Sequence, residues 1–125
     1  MNIVDSSGWL EYLAVGPNAS FFAEPIENTK ELIVPSMSLY EVFKRVAQQR
    51  SENEALQVVA LMQQGQIVNL DPGIAISAAR LSIQYRMPMA DSIMLATARN
   101  CKALFRTQDS HFKGISDIKY KKAVS

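Results

Sequence analysis

Short apolar runs separated by amphipathic stretches set the strongest limit on how this chain folds. Asn2-Ile3-Val4-Asp5 reads as a short buried strand, and Glu31-Leu32-Ile33-Val34, Ile67-Val68-Asn69-Leu70 and Ala103-Leu104-Phe105-Arg106 read as further strands, with Ile118-Lys119-Tyr120 as a short fifth. Between them lie helical patterns. Ser7 to Ala14 places Trp9, Leu10 and Leu13 on one face and stops at Gly16-Pro17-Asn18; a second helix covers Ser20 to Glu27. Ser38 to Gln49 directs Leu39, Val42, Phe43 and Val46 inward. Ser51-Glu52-Asn53-Glu54 has the form of a capping box for a helix that Gly65 ends. Asp71-Pro72 starts a helix that runs to about Tyr85, and Met87-Pro88 separates it from another over Ala90 to Asn100. Strands alternating with helices predict an α/β fold with a parallel sheet covered on both faces.

The 125 residues suffice for one domain with a sizeable core, and no repeat or linker divides residues 1–125. With 48% apolar and 20% charged residues, the composition is that of a globular protein. No apolar run is long enough for a membrane span, and the N-terminus does not read as a secretory signal. One cysteine, Cys101, excludes an internal disulfide or a cysteine-based zinc cluster and suits a reducing cytoplasm. Cys101 and the methionines, among them Met87, Met89 and Met94, read as core residues. The net charge of +1 is unevenly distributed. Residues 1–74 hold four Lys/Arg and nine Asp/Glu, and residues 75–125 hold nine and three. Either a basic surface lies beside an acidic site, or the fold mixes the halves.

Open parallel sheets bind ligands beyond the carboxyl ends of their strands, so polar residues there carry the most information. Asp5 terminates the first strand, and Asp109 follows the fourth. Asp91 opens the helix leading into that strand, on a face it shares with the apolar Leu95 and Ala98. Glu41 lies about one turn into the helix after the second strand. Each also has a purely structural use. Asp5 and Asp91 fit helix caps, Asp109 fits a turn, and Glu41 fits an ion pair with Arg45 four residues on.

The sequence resembles the PIN domain, and within it the VapC-type toxins of bacterial and archaeal toxin–antitoxin pairs. The resemblance rests on Ile3-Val4-Asp5-Ser6-Ser7, on Val34-Pro35-Ser36 through Leu39-Tyr40-Glu41-Val42, on Met87-Pro88-Met89-Ala90-Asp91-Ser92-Ile93 with Ala96-Thr97-Ala98, and on Leu104-Phe105-Arg106-Thr107-Gln108-Asp109-Ser110-His111-Phe112. It implies a three-layer fold with a central parallel sheet of four or five strands flanked by helices. Asp5, Glu41, Asp91 and Asp109 match the family's acids, which would meet in one groove and cleave RNA with Mg²⁺ or Mn²⁺. Ser7 and Thr107 match supporting hydroxyl positions. The partners implied are an RNA substrate, a cognate antitoxin and a second copy of the chain in a homodimer. A DNA-directed or structure-specific nuclease, or a non-catalytic PIN-like module binding nucleic acid or a partner, remain alternatives.

Carboxylate oxygens are hard ligands, which favours Mg²⁺ or Mn²⁺. Asp5 and Asp91 read as direct ligands with Asp109 next, and Glu41 as the residue that orients a water or holds a second ion. Water activated by such an ion leaves a 5′-phosphate and a free 3′-hydroxyl. The single histidine excludes a two-histidine acid–base mechanism, and His111 reads as a surface or supporting residue in a turn. Lys44, Arg45, Arg86, Arg99, Arg106 and Lys113 are candidates for phosphate contacts, and Tyr40 for base stacking. The helix face carrying Val58, Val59, Leu61 and Met62 reads as core, with a dimer or partner contact as its other use.

Overall fold

The structure, a computed structural model, describes residues 1–124. The sheet is built from β1 (Asn2–Val4), β2 (Leu32–Pro35), β3 (Gln66–Val68), β4 (Leu104–Thr107) and β5 (Ile118–Tyr120). The strands lie in the order β3-β2-β1-β4-β5, and every pairing is parallel. The helices are α1 (Ser6–Leu13), α2 (Ala19–Glu27), α3 (Ser36–Gln49), α4 (Glu52–Met62), α5 (Pro72–Tyr85) and α6 (Met89–Asn100), with short 3₁₀ turns at Thr29–Glu31 and Ser110–Phe112.

Alternation along the strands creates the two helical layers. Successive side chains of a strand point to opposite faces. Ile3, Ile33 and Phe105 therefore pack with Ile74, Ala78 and Leu81 of α5 and with Ile93 and Met94 of α6. Val4, Leu32 and Val34 turn the other way, onto Trp9 of α1, Phe22 and Ile26 of α2, Val42 of α3 and Met62 of α4. The result is a three-layer α/β/α arrangement with a core on each side of the sheet.

Local chemistry fixes the helix starts. Ser51 accepts from the Glu54 N–H at 3.1 Å, and Asp71 accepts from the Ile74 N–H at 2.8 Å, with Pro72 in the first turn of α5. Gly8 in α1 is required by close packing. A Cβ there would lie 2.5 Å from the Phe22 ring and 2.7 Å from Val4 Cγ1, both fully buried. Gly8→Ala is expected to cost about 1–3 kcal/mol of unfolding free energy, measured by urea denaturation.

Two apolar residues lie farther out than the sequence pattern suggests. Phe43 is only half-buried and lines a surface groove with Leu39, Tyr40, Ala47 and Val59. Its position is about 100° around α3 from the fully buried Val42, at the margin of the inward stripe. Met89 is 72% exposed because it is the first residue of α6, where the helix projects from the core. On α4, Met62 is buried, Val58 and Val59 are half-buried, and Leu61 is 39% exposed. None of the helices is long and apolar enough to cross a membrane among the described residues.

Candidate functional site

In the order β3-β2-β1-β4-β5, the chain leaves β1 for one side of the sheet and later adds β4 on the other. The carboxyl ends of β1 and β4 thus flank the switch point where open α/β sheets bind ligands. Asp5 leaves β1 there, still tied to β4 by its N–H donating to the Arg106 carbonyl at 2.9 Å. It precedes α1, yet its side chain caps no helix N–H. Instead Asp5 Oδ2 accepts from Ser7 Oγ at 3.1 Å and from Thr107 Oγ1 at 2.9 Å. Thr107 Oγ1 in turn accepts from the Asp109 N–H at 2.9 Å, which links the two acids through one hydroxyl.

Asp109 keeps a structural duty as well. Its Oδ1 accepts from the His111 N–H at 2.9 Å and so closes the turn Ser110–Phe112. Phe112, fully buried against Phe105 with ring centroids 4.9 Å apart, anchors that turn. His111 is thereby held over the acids, its Nδ1 2.7 Å from Asp91 Oδ2 and 3.4 Å from Asp109 Oδ1. Asp91 lies in the first turn of α6, where the helix dipole favours a negative charge, and it does not cap that helix. Glu41 reaches the same space from α3. Ser6 Oγ donates to its Oε1 at 2.6 Å, and no Glu41–Arg45 ion pair forms among the described residues.

A cleft of about 450 Å³ gathers these groups: Asp5, Glu41, Asp91 and Asp109 all line it, together with Ser6 and Ser7. Two of the acids come from the acidic half of the sequence and two from the basic half, so folding mixes the halves at this site. Lys44, Arg45 and Tyr40 also line the cleft, and Lys44 Nζ lies 5.7 Å from the centre of the 60%-exposed Tyr40 ring.

The electrostatics follow from crowding. Burial pushes the Asp5 carboxyl up to about 7, against the hydrogen bonds from Thr107 and Ser7; the charges of Asp91 and Asp109 raise it further. Burial also raises Glu41, and the Ser6 hydroxyl opposes it. Asp91 is raised by burial and by Asp109, with His111 pulling the other way. His111 is raised in turn by its contact with Asp91 and by the nearby Asp109 charge. The oxygens of Asp91 and Asp109 and a ring nitrogen of His111 lie within 4.8 Å of one another, a spacing that suits a metal ion.

Two residues carry more, and one less, than sequence reasoning gives them. Ser6 was missed; its only signal is its place in Asp5-Ser6-Ser7, where a strand-to-helix turn can aim both hydroxyls into one cleft. His111 is at the surface, with 56% of its side chain exposed, but it touches two of the acids. Arg106 is not available to phosphate. It is 7% exposed, donates to the Phe21 carbonyl at 2.9 Å, stacks on the Phe21 ring at 5.4 Å and lies 3.7 Å from Glu24. Its strand is covered on both faces, so the side chain runs under α2 and its Nε is buried without a partner.

Comparison with known proteins places this architecture. A model of the PIN domain family matches residues 3–118. The chain belongs to the PIN domain family. No curated protein sequence matches it significantly. Among solved structures, this PIN domain is similar to a toxin–antitoxin complex from Klebsiella pneumoniae, with 18% identity, a TM-score of 0.78 and coverage of 94% of this chain and 95% of that one. It is also similar to VapC20 of Mycobacterium tuberculosis, a sarcin–ricin loop cleaving toxin, at 11% identity and a TM-score of 0.77 over 95% and 98% of the two chains. DNA-bound VapBC from Salmonella typhimurium matches at 14% identity and a TM-score of 0.74 over 98% of each chain. At such identities the likeness is one of fold, and it extends over nearly the full PIN domain.

Proposed function

We propose that this PIN domain is a metal-dependent endoribonuclease, the toxin component of a type II toxin–antitoxin pair, acting in the cytoplasm as a single nuclease domain. The observation that carries the reading is the convergence of Asp5, Glu41, Asp91 and Asp109, from four separate segments, on one cleft at the switch point of the sheet. A carboxyl raised to about 7 and crowded by two further acids marks excess negative charge that a cation would neutralise. The toxin–antitoxin complexes of the same fold support a cognate antitoxin as partner, and the loop-cleaving toxin among them supports RNA as substrate.

The donor set fits a hard divalent ion, Mg²⁺ or Mn²⁺, since carboxylate oxygens dominate it. Asp91, Asp109 and Asp5 would hold it. When bound, such an ion lowers the pKa of a coordinated water and steadies charge on the scissile phosphate. The chain's own residues do the rest. Ser7 and Thr107 fix the Asp5 carboxylate, Ser6 fixes Glu41, and Glu41 orients the attacking water. Lys44 and Arg45 hold RNA phosphates at the wall of the cleft, and Tyr40 offers a ring to an unstacked base.

Purified, antitoxin-free protein should cleave RNA in Mg²⁺ or Mn²⁺, leave 5′-phosphate ends and stop on addition of EDTA. Preference for length-matched DNA, no cleavage of any RNA, or 2′,3′-cyclic phosphate ends would overturn the reading. Thr107→Val deprives both Asp5 and the Asp109 N–H of a partner. It is expected to lower the cleavage rate by about 10–100-fold and stability by about 1–3 kcal/mol, read from initial rates and chemical denaturation.

A further inference from the structure

We propose that His111 is a nitrogen ligand of the divalent ion in this cleft and that it biases the site toward Mn²⁺ over Mg²⁺. The inference rests on the metal-dependent reading above and adds a ligand to it.

His111 is the one histidine of the chain. The Asp109 side chain holds its backbone N–H, and the buried Phe112 pins the residue after it. The turn therefore presents the imidazole to the acids without burying it. Ligand atoms at right angles around an ion at about 2.0–2.1 Å lie about 2.9 Å apart. His111 Nδ1 is 2.7 Å from Asp91 Oδ2 and 3.4 Å from Asp109 Oδ1, which brackets that separation. The nitrogen can become a neighbouring ligand of each carboxylate oxygen with shifts of a few tenths of an ångström, and one oxygen of Asp91 and one of Asp109 lie within 4.8 Å of each other. Any proton carried by Nδ1 passes to solvent when the nitrogen lone pair turns to the ion.

Ligand chemistry supplies the selectivity. Mg²⁺ prefers oxygen ligands and retains its waters, whereas imidazole nitrogen suits the borderline first-row ions. An all-carboxylate cleft offers little to separate Mg²⁺ from Mn²⁺, and one imidazole tips it.

The test uses the untagged full chain with Mn²⁺ alone in a buffer free of nitrogen ligands. Pulsed electron paramagnetic resonance should show ¹⁴N coupling to the bound Mn²⁺. With one histidine in the chain, an imidazole coupling can come only from His111. Calorimetric titration of His111→Ala should show Mn²⁺ affinity reduced by about tenfold or more, with a distinctly smaller change for Mg²⁺. Mn²⁺ bound without nitrogen coupling, or an unchanged Mn²⁺/Mg²⁺ affinity ratio in His111→Ala, would overturn the proposal while leaving the metal site standing. Failure of the unaltered protein to bind Mn²⁺ would overturn both.

Discussion

Asp91→Asn is expected to reduce RNA cleavage by about 10²–10³-fold or more while leaving the fold intact. Asn keeps the size of Asp91 and can still bond to His111, so the packing of α6 should not change. What disappears is a negative charge at the point where the cleft acids are most closely spaced, beside Asp109 and His111. Burial holds the Asp91 carboxyl above its usual range despite the helix N-terminus, so losing the charge should not destabilise the metal-free fold. Asp117 lies outside the cleft in a left-handed conformation with φ of 65°, which Asn adopts readily, and Asp117→Asn should leave the rate unchanged. Initial rates for the two variants under the same Mg²⁺ concentration decide the matter. An Asp91→Asn enzyme that retains most of its activity would remove Asp91 from the site.

Asp5→Asn should make the metal-free protein more stable at alkaline pH. The folded-state pKa of Asp5 is raised from 3.8 to about 7, chiefly by burial. The native state therefore binds the proton more tightly than the unfolded chain. Its contribution to stability is complete below about 3.8 and is lost as pH rises through about 7. Glu41 and Asp91, also raised, add in the same direction. At about 1.4 kcal/mol per pH unit, the loss amounts to a few kcal/mol. Asn at position 5 can still accept from Thr107 and Ser7 but carries no charge. In EDTA at pH 8 its melting temperature should exceed that of the unaltered protein by about 5 °C or more. The difference should narrow as pH falls and close only below about pH 4. Saturating Mn²⁺ should reverse the order, since the ion stabilises the protein that binds it. A variant less stable than the unaltered protein in EDTA at pH 8 would contradict the electrostatic account of the cleft.

How much of this was legible beforehand depends on how local the signal is. Ile3-Val4 and Leu32-Ile33-Val34 identify themselves as strands because both faces of the sheet are covered, so apolar residues run without a gap. Ser51 and Asp71 announce helix starts through the side chain itself. Asp5 and Asp109 stand out because strand ends in a parallel sheet are predictable places, whereas Glu41 and Asp91, both on helices, join them through the resemblance to the PIN domain. Properties that depend on a third segment were not. Ser6 is one residue among the serines after β1 until α3 brings Glu41 beside it. His111 looks peripheral in the sequence because nothing there shows that the turn Ser110–Phe112 leans over the first turn of α6. Arg106 looks like a phosphate contact until α2 is seen to cover its strand and supply the Phe21 carbonyl. Phe43 and Met89 show the limit of helical periodicity, which fixes a stripe to within about one residue and ignores where the helix leaves the core.

Anomalous scattering from crystals soaked in Mn²⁺ tests most directly whether the acids share one divalent ion. A peak should appear in the cleft within about 2.2 Å of carboxylate oxygens from Asp91 and from at least one of Asp5 and Asp109. Crystals saturated with Mn²⁺ that show no peak there, or a peak only on surface residues away from these carboxylates, would contradict a shared ion.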